Sequence, residues 1–179
     1  MNAVVYIHGK DGSATESEHY KPLFPDYEVL GLDYQTFTSW ETRKEIHEAL
    51  EELKTRYDNI ILIANSIGAY FSMNAGINGL IQKAYFISPV VDMEKPNGYE
   101  LSPEYLLYVR SHPFVWDVPT HILYGSNDNL TSFETMSDFA EKHQASLTVM
   151  ENGEHWFHTD EQMQFLDNWI KNKEIWKTK

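Results

Sequence analysis

Short apolar runs alternate along this chain with longer segments in which apolar residues recur every three or four positions. The short runs are rich in β-branched and aromatic residues. Several are apolar on both faces, as in strands of a parallel sheet that helices cover on both sides. We therefore predict six strands, at residues 3–7, 28–32, 60–64, 84–87, 120–124 and 146–150.

Three of the longer segments carry the pattern of amphipathic helices. Residues 40–57 form the first, and Thr38 with Glu41 predicts a capping box at its start; Thr131 with Glu134 predicts a second capping box. The residues expected to face the core are Ile46, Leu50, Leu53 and Tyr57 in the first helix, Phe133, Met136, Phe139 and Ala140 in the second, and Met163, Leu166, Trp169 and Ile170 in the third, which begins near Asp160. Alternating strands and helices imply right-handed crossovers. The expected fold class is α/β: a three-layer, doubly wound, mostly parallel sheet with helices on both faces.

The connection at residues 90–118 interrupts this alternation because it is long and rich in proline. A short helix is predicted to begin within it, near Ser102 and Pro103. Long connections of this kind are usually functional covers or flexible insertions. We expect residues 1–179 to form a single domain with a short cover-like insertion at about 90–118.

Composition narrows the possible functions. The 179 residues are 42% hydrophobic, which suits a globular domain with a substantial core. A formal charge of −13 argues against sequence-independent binding to nucleic acid or to anionic membranes, because both depend on Lys and Arg. The chain has no cysteine, so disulfides, thiolate metal sites and a cysteine nucleophile are excluded.

Signals for export and for cofactors are also missing from the sequence. The first apolar run lacks a basic lead and is too short for a signal peptide, and no window approaches the roughly 18 apolar residues of a spanning helix. We therefore expect a cytoplasmic protein that does not enter a membrane. No H-E-x-x-H pattern suggests a metal, and "HGKDGS" lacks the ending of a phosphate loop. The prediction is that the protein needs no metal and no organic cofactor.

Polar clusters follow four of the predicted strands: "HGKDGS" after the first, "NSIG" after the third, "GSNDN" after the fifth and "GEHWFH" after the sixth. Ligands of doubly wound sheets bind beyond the carboxyl ends of the strands. A serine hydroxyl becomes a nucleophile when an imidazole accepts its proton and a carboxylate orients that imidazole. The oxyanion that forms then needs N–H donors. The clusters offer all of these groups at one edge, which favours Ser66 as a nucleophile on a strand-to-helix turn.

Ser66, Asp128 and His155 occur in the order of the nucleophile, acid and histidine of the α/β-hydrolase family, and each follows a predicted strand. "YIHGKDG" resembles the oxyanion turn of that family, "LYGSNDNLTS" its acid turn and "NGEHWF" its histidine loop. The resemblance covers nearly the whole chain. It implies a catalytic triad of these three residues.

The resemblance also implies an oxyanion hole, formed by the backbone N–H groups of Ile67 and of Lys10, with Asp11 as the alternative to Lys10. Ala64 replaces the first glycine of the G-x-S-x-G elbow, while Gly68 keeps the second. We expect a small packing adjustment at Ala64 and not the loss of the elbow. The size of the chain is similar to that of compact, nearly capless members, such as retinoblastoma-binding-protein-9-like hydrolases and small bacterial esterases.

Other residues could take some of these roles. Asp92 is the alternative acid, His158 is the alternative histidine, and Ser13 and Ser126 are weaker alternatives for the nucleophile. We expect His8 to brace the oxyanion turn and not to act as a base.

An acyl pocket is predicted from Tyr99, Leu106, Phe114, Trp116 and Trp156, although aromatic residues in a long connection can equally pack onto the sheet. The expected activity is hydrolysis of a small carboxylic ester through an acyl-enzyme. Thioesterase or peptidase and amidase activity would use the same triad. A non-catalytic binding protein with this fold is the alternative from another functional class.

Overall fold

A parallel sheet forms the centre of the computed structural model, which describes residues 1–34 and 38–175. Its six strands are β1 (Asn2–Ile7), β2 (Glu28–Leu32), β3 (Asn59–Asn65), β4 (Lys83–Ile87), β5 (Thr120–Gly125) and β6 (Ser146–Met150). They lie in the order β2-β1-β3-β4-β5-β6, and every neighbouring pair is parallel. All six predicted strands are confirmed, because each observed end lies within one residue of the predicted end.

Helices cover both faces of the sheet. They are α1 (Ser39–Lys54), α2 (Ile67–Asn74), α3 (Pro103–Ser111), α4 (Phe133–Lys142) and α5 (Asp160–Ile175), together with a 3-10 helical segment at Ala14–Leu23. One buried cluster lies between the sheet and α1, α2 and α4, and a second lies between the sheet and the 3-10 segment with α5. The predicted three-layer, doubly wound arrangement is therefore confirmed.

The central strands β1 and β3 are buried on both faces because successive side chains point to opposite sides of a strand. Val5 and Leu62 belong to the first cluster, whereas Val4 and Ile61 belong to the second. None of these four side chains is more than 1% exposed. Continuous apolar runs in the sequence thus produce a sheet that needs a helical layer on each side.

The starts of two helices differ from the predicted capping boxes. Thr38 precedes α1 as expected, but its hydroxyl donates to the Glu41 carboxylate and caps no backbone N–H. Ser132, and not Thr131, caps α4, where its hydroxyl accepts a hydrogen bond from the N–H of Thr135 at 3.1 Å. The predicted cap of α4 was therefore wrong by one residue. Thr135 follows Ser132 at the same three-residue spacing as Glu134 follows Thr131.

The predicted core faces of the helices are confirmed with two exceptions. The helix predicted over residues 40–57 ends at Lys54, so Tyr57 is buried as expected but lies beyond α1. Phe133, the first residue of α4, is 53% exposed, so its assignment to the buried face was wrong. Because Phe133 lies in the first turn of α4, its ring packs near that of Tyr124, with ring centroids 6.1 Å apart. Met163 of α5 is only partly buried, although it packs on the second cluster.

Residues 90–118 fold back onto the helical layer. Both ends of the segment are anchored in the core, by Val90 at one end and Val118 at the other. Between them, α3 has no buried residue and lies on the outside of α1, where the Tyr105 hydroxyl is 2.8 Å from that of Ser39. Ser102 caps α3, as the sequence predicts. The insertion is thus held at both ends and exposes its helix.

The longest helices, α1 and α5, contain 16 residues each. Within the described ranges, no helix combines the length and apolar character needed to cross a membrane.

Candidate active site

Ser66 lies on a sharp turn between β3 and α2. Its backbone has φ of 50° and ψ of −121°, a conformation that a residue with a side chain rarely adopts and that costs on the order of 1–3 kcal/mol. The turn is held by hydrogen bonds with the neighbouring strand end, because the Ser66 N–H donates to the Ile87 carbonyl at 3.0 Å and the Ser66 carbonyl accepts from the Val90 N–H at 3.0 Å. Strained backbone that is held in place by surrounding hydrogen bonds is typical of functional residues.

Close packing beneath this turn explains its small residues. A Cβ on Gly68 would lie 2.5 Å from the carbonyl oxygen of His8 and 2.8 Å from that of Ile7, so only glycine lets α2 approach the end of β1 this closely. Ala64 is fully buried at the end of β3, in register with Ile7 of β1 and Phe86 of β4. Its methyl group is therefore accommodated within a regular strand.

The side chains of Ser66, His155 and Asp128 form a hydrogen-bonded series. The Ser66 hydroxyl oxygen is 2.9 Å from Nε2 of His155, and Nδ1 of His155 is 2.7 Å from Oδ2 of Asp128. The other carboxylate oxygen of Asp128 accepts hydrogen bonds from the backbone N–H groups of Leu130 at 2.8 Å and Thr131 at 3.0 Å. The structure thus brings together three residues that lie far apart in the sequence and connects them by two consecutive hydrogen bonds.

The electrostatics of this series favour an ionised carboxylate. Burial of the fully covered Asp128 side chain would by itself raise its pKa. The hydrogen bond with His155, the backbone donors and the attraction of the imidazole outweigh burial and hold the pKa of Asp128 below its ordinary value. A charged Asp128 can therefore orient His155 and stabilise the imidazolium that forms when His155 accepts a proton.

The alternative residues are engaged elsewhere. The Asp92 carboxylate accepts from the N–H of Glu94 at 2.9 Å in a local turn, and His158 stacks on Trp156 with ring centroids 4.0 Å apart. The Ser126 hydroxyl accepts from the N–H of Asn152 at 2.7 Å. The remaining weak alternative, the Ser13 hydroxyl, lies 2.6 Å from that of Thr15. None of these groups takes part in the series around Ser66.

The turn after β1 packs directly against the nucleophile candidate. A Cβ on Gly9 would lie 3.2 Å from Cβ of Ser66, and the turn is closed by a hydrogen bond from the Gly12 N–H to the Gly9 carbonyl at 3.2 Å. His8 braces this turn, since its Nδ1 is 2.7 Å from the Gly9 carbonyl and its ring stacks on Tyr34 at 4.2 Å. The turn therefore lies beside Ser66, and its residues Lys10 and Asp11 line the same cavity as Ser66.

A cavity of about 800 Å³ opens above these residues, within the range of small-molecule sites. It is lined by residues from the turn after β1, the 3-10 segment, residues 97–99 and the loop before α5. Tyr99 and Trp156 line it together with Ser66 and His155, as the sequence analysis proposes.

The other predicted pocket residues do not line this cavity. Trp116 is only 4% exposed, donates a hydrogen bond from its indole to the Thr120 hydroxyl at 2.8 Å and stacks on Phe86 at 5.5 Å. It is therefore a core residue, and its assignment to the pocket is corrected. Leu106 lies on the exposed helix α3, and Phe114 packs against the first buried cluster.

Several lining residues were missed by the sequence analysis, namely Tyr6, Glu16, His19, Tyr20, Met163 and Leu166. Most belong to the 3-10 segment or face it. The only sequence signal was the position of "ATESEHY" directly after "HGKDGS", and the segment lacks the periodicity of an α-helix. The segment lines the cavity because it packs next to the carboxyl end of β1 in the folded protein.

Among the residues that the structure describes, no group of three or more His, Cys, Asp or Glu side chains is arranged to hold a metal ion.

Comparisons with solved structures identify the fold of this chain. No protein-family profile matches the sequence, and no curated protein is similar enough in sequence to count as a relative. Among solved structures, Est1E from Butyrivibrio proteoclasticus is similar with a TM-score of 0.74 and 17% identity, over 97% of this chain and 87% of that one. A structure of Est1E with bound ferulic acid has a TM-score of 0.76 and 15% identity, over 98% of this chain and 88% of Est1E.

A second similar structure is that of esterase 2 from Thermogutta terrifontis phosphorylated by paraoxon. It has a TM-score of 0.69 and 16% identity, over 96% of this chain and 82% of that one. Together with the parallel six-stranded sheet, these likenesses establish the class: the chain has a compact α/β-hydrolase fold. Nothing in these comparisons tests the narrower likeness to retinoblastoma-binding-protein-9-like hydrolases, which stays a prediction.

Proposed function

We propose that this protein is a serine hydrolase that cleaves a small carboxylic ester through an acyl-enzyme. The observation that carries the proposal is the series from Ser66 through His155 to Asp128, with Ser66 held at a strained turn on the floor of an open cavity. Solved esterases with the same fold provide further support.

In the first half of the proposed reaction, the Ser66 hydroxyl oxygen attacks the ester carbonyl carbon while Nε2 of His155 accepts its proton. The N–H groups of Ile67 and Lys10 would stabilise the oxyanion. The bond to the leaving alkoxy group then breaks, and His155 gives it the proton. Asp128 stays ionised and stabilises the imidazolium in between.

In the second half, a water molecule attacks the acyl-enzyme with His155 again accepting a proton. The carboxylic acid leaves, and the proton returns to Ser66, so the enzyme is regenerated. The cavity volume of about 800 Å³ suits a substrate of modest size.

Covalent labelling tests this proposal. An organophosphate or fluorophosphonate probe should add one adduct to the folded protein, seen by intact mass and mapped to Ser66. We choose this chemistry because paraoxon phosphorylates the Thermogutta esterase. The matched control is Ser126→Ala, which removes another serine at the same sheet edge and should keep the adduct, whereas Ser66→Ala should lose it.

Absence of an adduct under conditions that label a control esterase would overturn the proposal. In that case a non-catalytic binding protein becomes the better reading, and it predicts no turnover across a panel of esters. Relative rates for p-nitrophenyl esters, acyl-CoA thioesters and aminoacyl amides distinguish esterase from thioesterase and amidase activity, since the same triad can serve all of them.

A further inference from the structure

One corner of the cavity contains a carboxylate among aromatic rings. We call it the acidic corner and define it by Tyr6, Glu16 and Tyr20, all of which line the cavity. The Tyr6 hydroxyl donates a hydrogen bond to the Glu16 carboxylate, and the rings of Tyr6 and Tyr20 lie 5.3 Å apart. Both tyrosines are at least 96% buried as residues, whereas Glu16 remains accessible to a ligand.

The carboxylate is the charged member of this corner. Burial raises the pKa of Tyr6, and the neighbouring Tyr20 and the hydrogen bond with Glu16 raise it further. Burial likewise raises the pKa of Tyr20, with Glu16 adding to the effect. Both phenols therefore keep their protons near neutral pH, and Tyr6 acts as a donor to Glu16.

The Glu16 carboxylate has no salt-bridge partner in the part of the chain that the structure describes. Within residues 1–34 and 38–175, no Lys, Arg or His nitrogen lies within 4 Å of the Glu16 carboxylate. Two basic residues that line the same cavity, His19 and Lys10, have other contacts. Nε2 of His19 is 2.7 Å from the Asp167 carboxylate, and Nζ of Lys10 lies over the Tyr99 ring at 5.9 Å from its centroid.

The acidic corner lies close to the proposed reaction centre. A Cβ on Gly12 would be 2.8 Å from one carboxylate oxygen of Glu16 and 3.2 Å from the other, so this carboxylate rests on the turn after β1. The same turn packs Gly9 against Ser66. Glu16 and Ser66 thus contact the same turn and line the same cavity.

We propose that the acidic corner binds an ammonium group of the substrate, so that the preferred ester is a cationic one. A carboxylate attracts the charge of an ammonium group, and the hydrogen bond from the Tyr6 hydroxyl holds this carboxylate at the cavity wall. The formal charge of −13 on the whole chain steers cations toward the protein. This inference rests on the proposed esterase function and defines the substrate class.

Isosteric ester pairs that differ only in charge test the inference. On the alcohol side they are 2-(trimethylammonio)ethyl acetate and 3,3-dimethylbutyl acetate; on the acyl side they are the p-nitrophenyl esters of 4-(trimethylammonio)butanoate and 5,5-dimethylhexanoate. We expect the cationic member of one pair to have the larger kcat/KM by roughly two- to fivefold, as for an ion pair at a solvent-accessible carboxylate. The pair that shows the preference identifies the side of the ester that faces Glu16.

The variant Glu16→Gln keeps an acceptor for the Tyr6 hydroxyl and removes the charge, so the preference for the cationic ester should fall to about onefold. The matched control is Glu18→Gln, two residues further along the same segment, where the exposed carboxylate pairs with Lys21 at 2.7 Å. This control should keep the wild-type preference. Added salt should weaken the preference in the wild type, because ions screen the attraction.

Equal kcat/KM values within both pairs, or a preference that survives Glu16→Gln, would overturn the inference even if p-nitrophenyl acetate is hydrolysed and the esterase function stands. If no ester is hydrolysed, calorimetric titration of Ser66→Ala with 2-(trimethylammonio)ethyl acetate still decides the matter. Binding that is stronger than for the neutral isostere and is lost in the additional presence of Glu16→Gln would support a cation site without catalysis. Equal binding of the two compounds would reject it.

Discussion

Two hydrogen-bonded clusters of charged and hydroxyl side chains lie at opposite ends of the sheet. At the carboxyl ends of the strands, Ser66, His155 and Asp128 line up beneath the open cavity. Toward the amino end of β4, the Lys83 ammonium contacts both the Tyr85 hydroxyl, at 2.8 Å, and the Glu174 carboxylate of α5. The first cluster is reachable by a ligand, whereas the second is closed under the end of a helix.

Backbone strain separates the two ends as clearly as access does. Four of the non-glycine residues with positive φ follow the carboxyl ends of strands, namely Asp11, Ser66, Ser88 and Asn152. The Lys83–Tyr85–Glu174 cluster lies on regular strand and helix backbone. The comparison indicates that strained backbone at the carboxyl edge lowers the folding stability and positions the side chains around Ser66. At the amino end, similar polar groups connect α5 to the sheet.

The largest expected effect comes from replacing the nucleophile candidate. Ser66→Ala should lower kcat for ester hydrolysis by about 10⁴-fold or more, because it removes the attacking oxygen. In contrast, Ser66→Gly should raise the free energy of unfolding by about 1 kcal/mol, since glycine adopts the φ of 50° without strain. Chemical denaturation together with ester kinetics checks both, and an unchanged or lower stability of the glycine variant would remove the strain argument.

Asp128→Asn should lower kcat by roughly 10³- to 10⁴-fold, because a neutral amide neither holds the required tautomer of His155 nor stabilises its charged form. The pKa of Asp128 is lowered in the folded state, so its charge contributes stability above the ordinary carboxyl pKa of about 3.9. That contribution is lost as the pH falls through the folded-state pKa. The wild type should therefore lose stability more steeply than the variant on acidification below about pH 5. Parallel pH–stability curves would contradict this.

Gly68→Ala tests whether the elbow depends on close backbone packing. The new Cβ would meet the His8 carbonyl at 2.5 Å, so the helix must shift, at a cost of about 2–3 kcal/mol in unfolding free energy and with reduced activity. The matched control is Gly79→Ala, where a Cβ meets nothing within 4 Å; its stability should change by less than about 0.5 kcal/mol. Similar thermal shifts for both variants would show that the packing at Gly68 is not limiting.

Glu174→Gln tests the amino-end cluster and should have the smallest effect, a loss of about 1–2 kcal/mol in unfolding free energy with unchanged kcat/KM. The variant removes the negative charge that the ammonium of Lys83 contacts, and Lys83 is only 6% exposed as a residue. The double variant Lys83→Met with Glu174→Gln should recover most of this loss, because the buried charge is also removed. A fall in ester turnover would mean that the two ends of the sheet are coupled.

The predictions from sequence were correct for features that depend on neighbouring residues alone, such as strand burial and the cap of α3. Residues 60–64 are apolar at every position, and β3 is buried on both faces, because only a covered strand satisfies such a run. Ser102 caps α3 because a serine before a proline at the first helical position is a local signal. The prediction for Trp116 was wrong for the opposite reason: its ring stacks on Phe86 of β4, a contact between distant parts of the sequence that no local pattern shows.

The order and spacing of apolar residues thus determined the strands, most of the helices and the positions of the polar turns, because these depend on side-chain periodicity and backbone propensity. They also placed Ser66, Asp128 and His155 each behind a strand, at an edge that parallel strands must share. Only the tertiary structure decided which side chains surround a ligand. It folds residues 14–23 over β1, places the Glu16 carboxylate in the cavity and leaves Trp116 in the core, since distances between segments follow from packing and not from the local pattern.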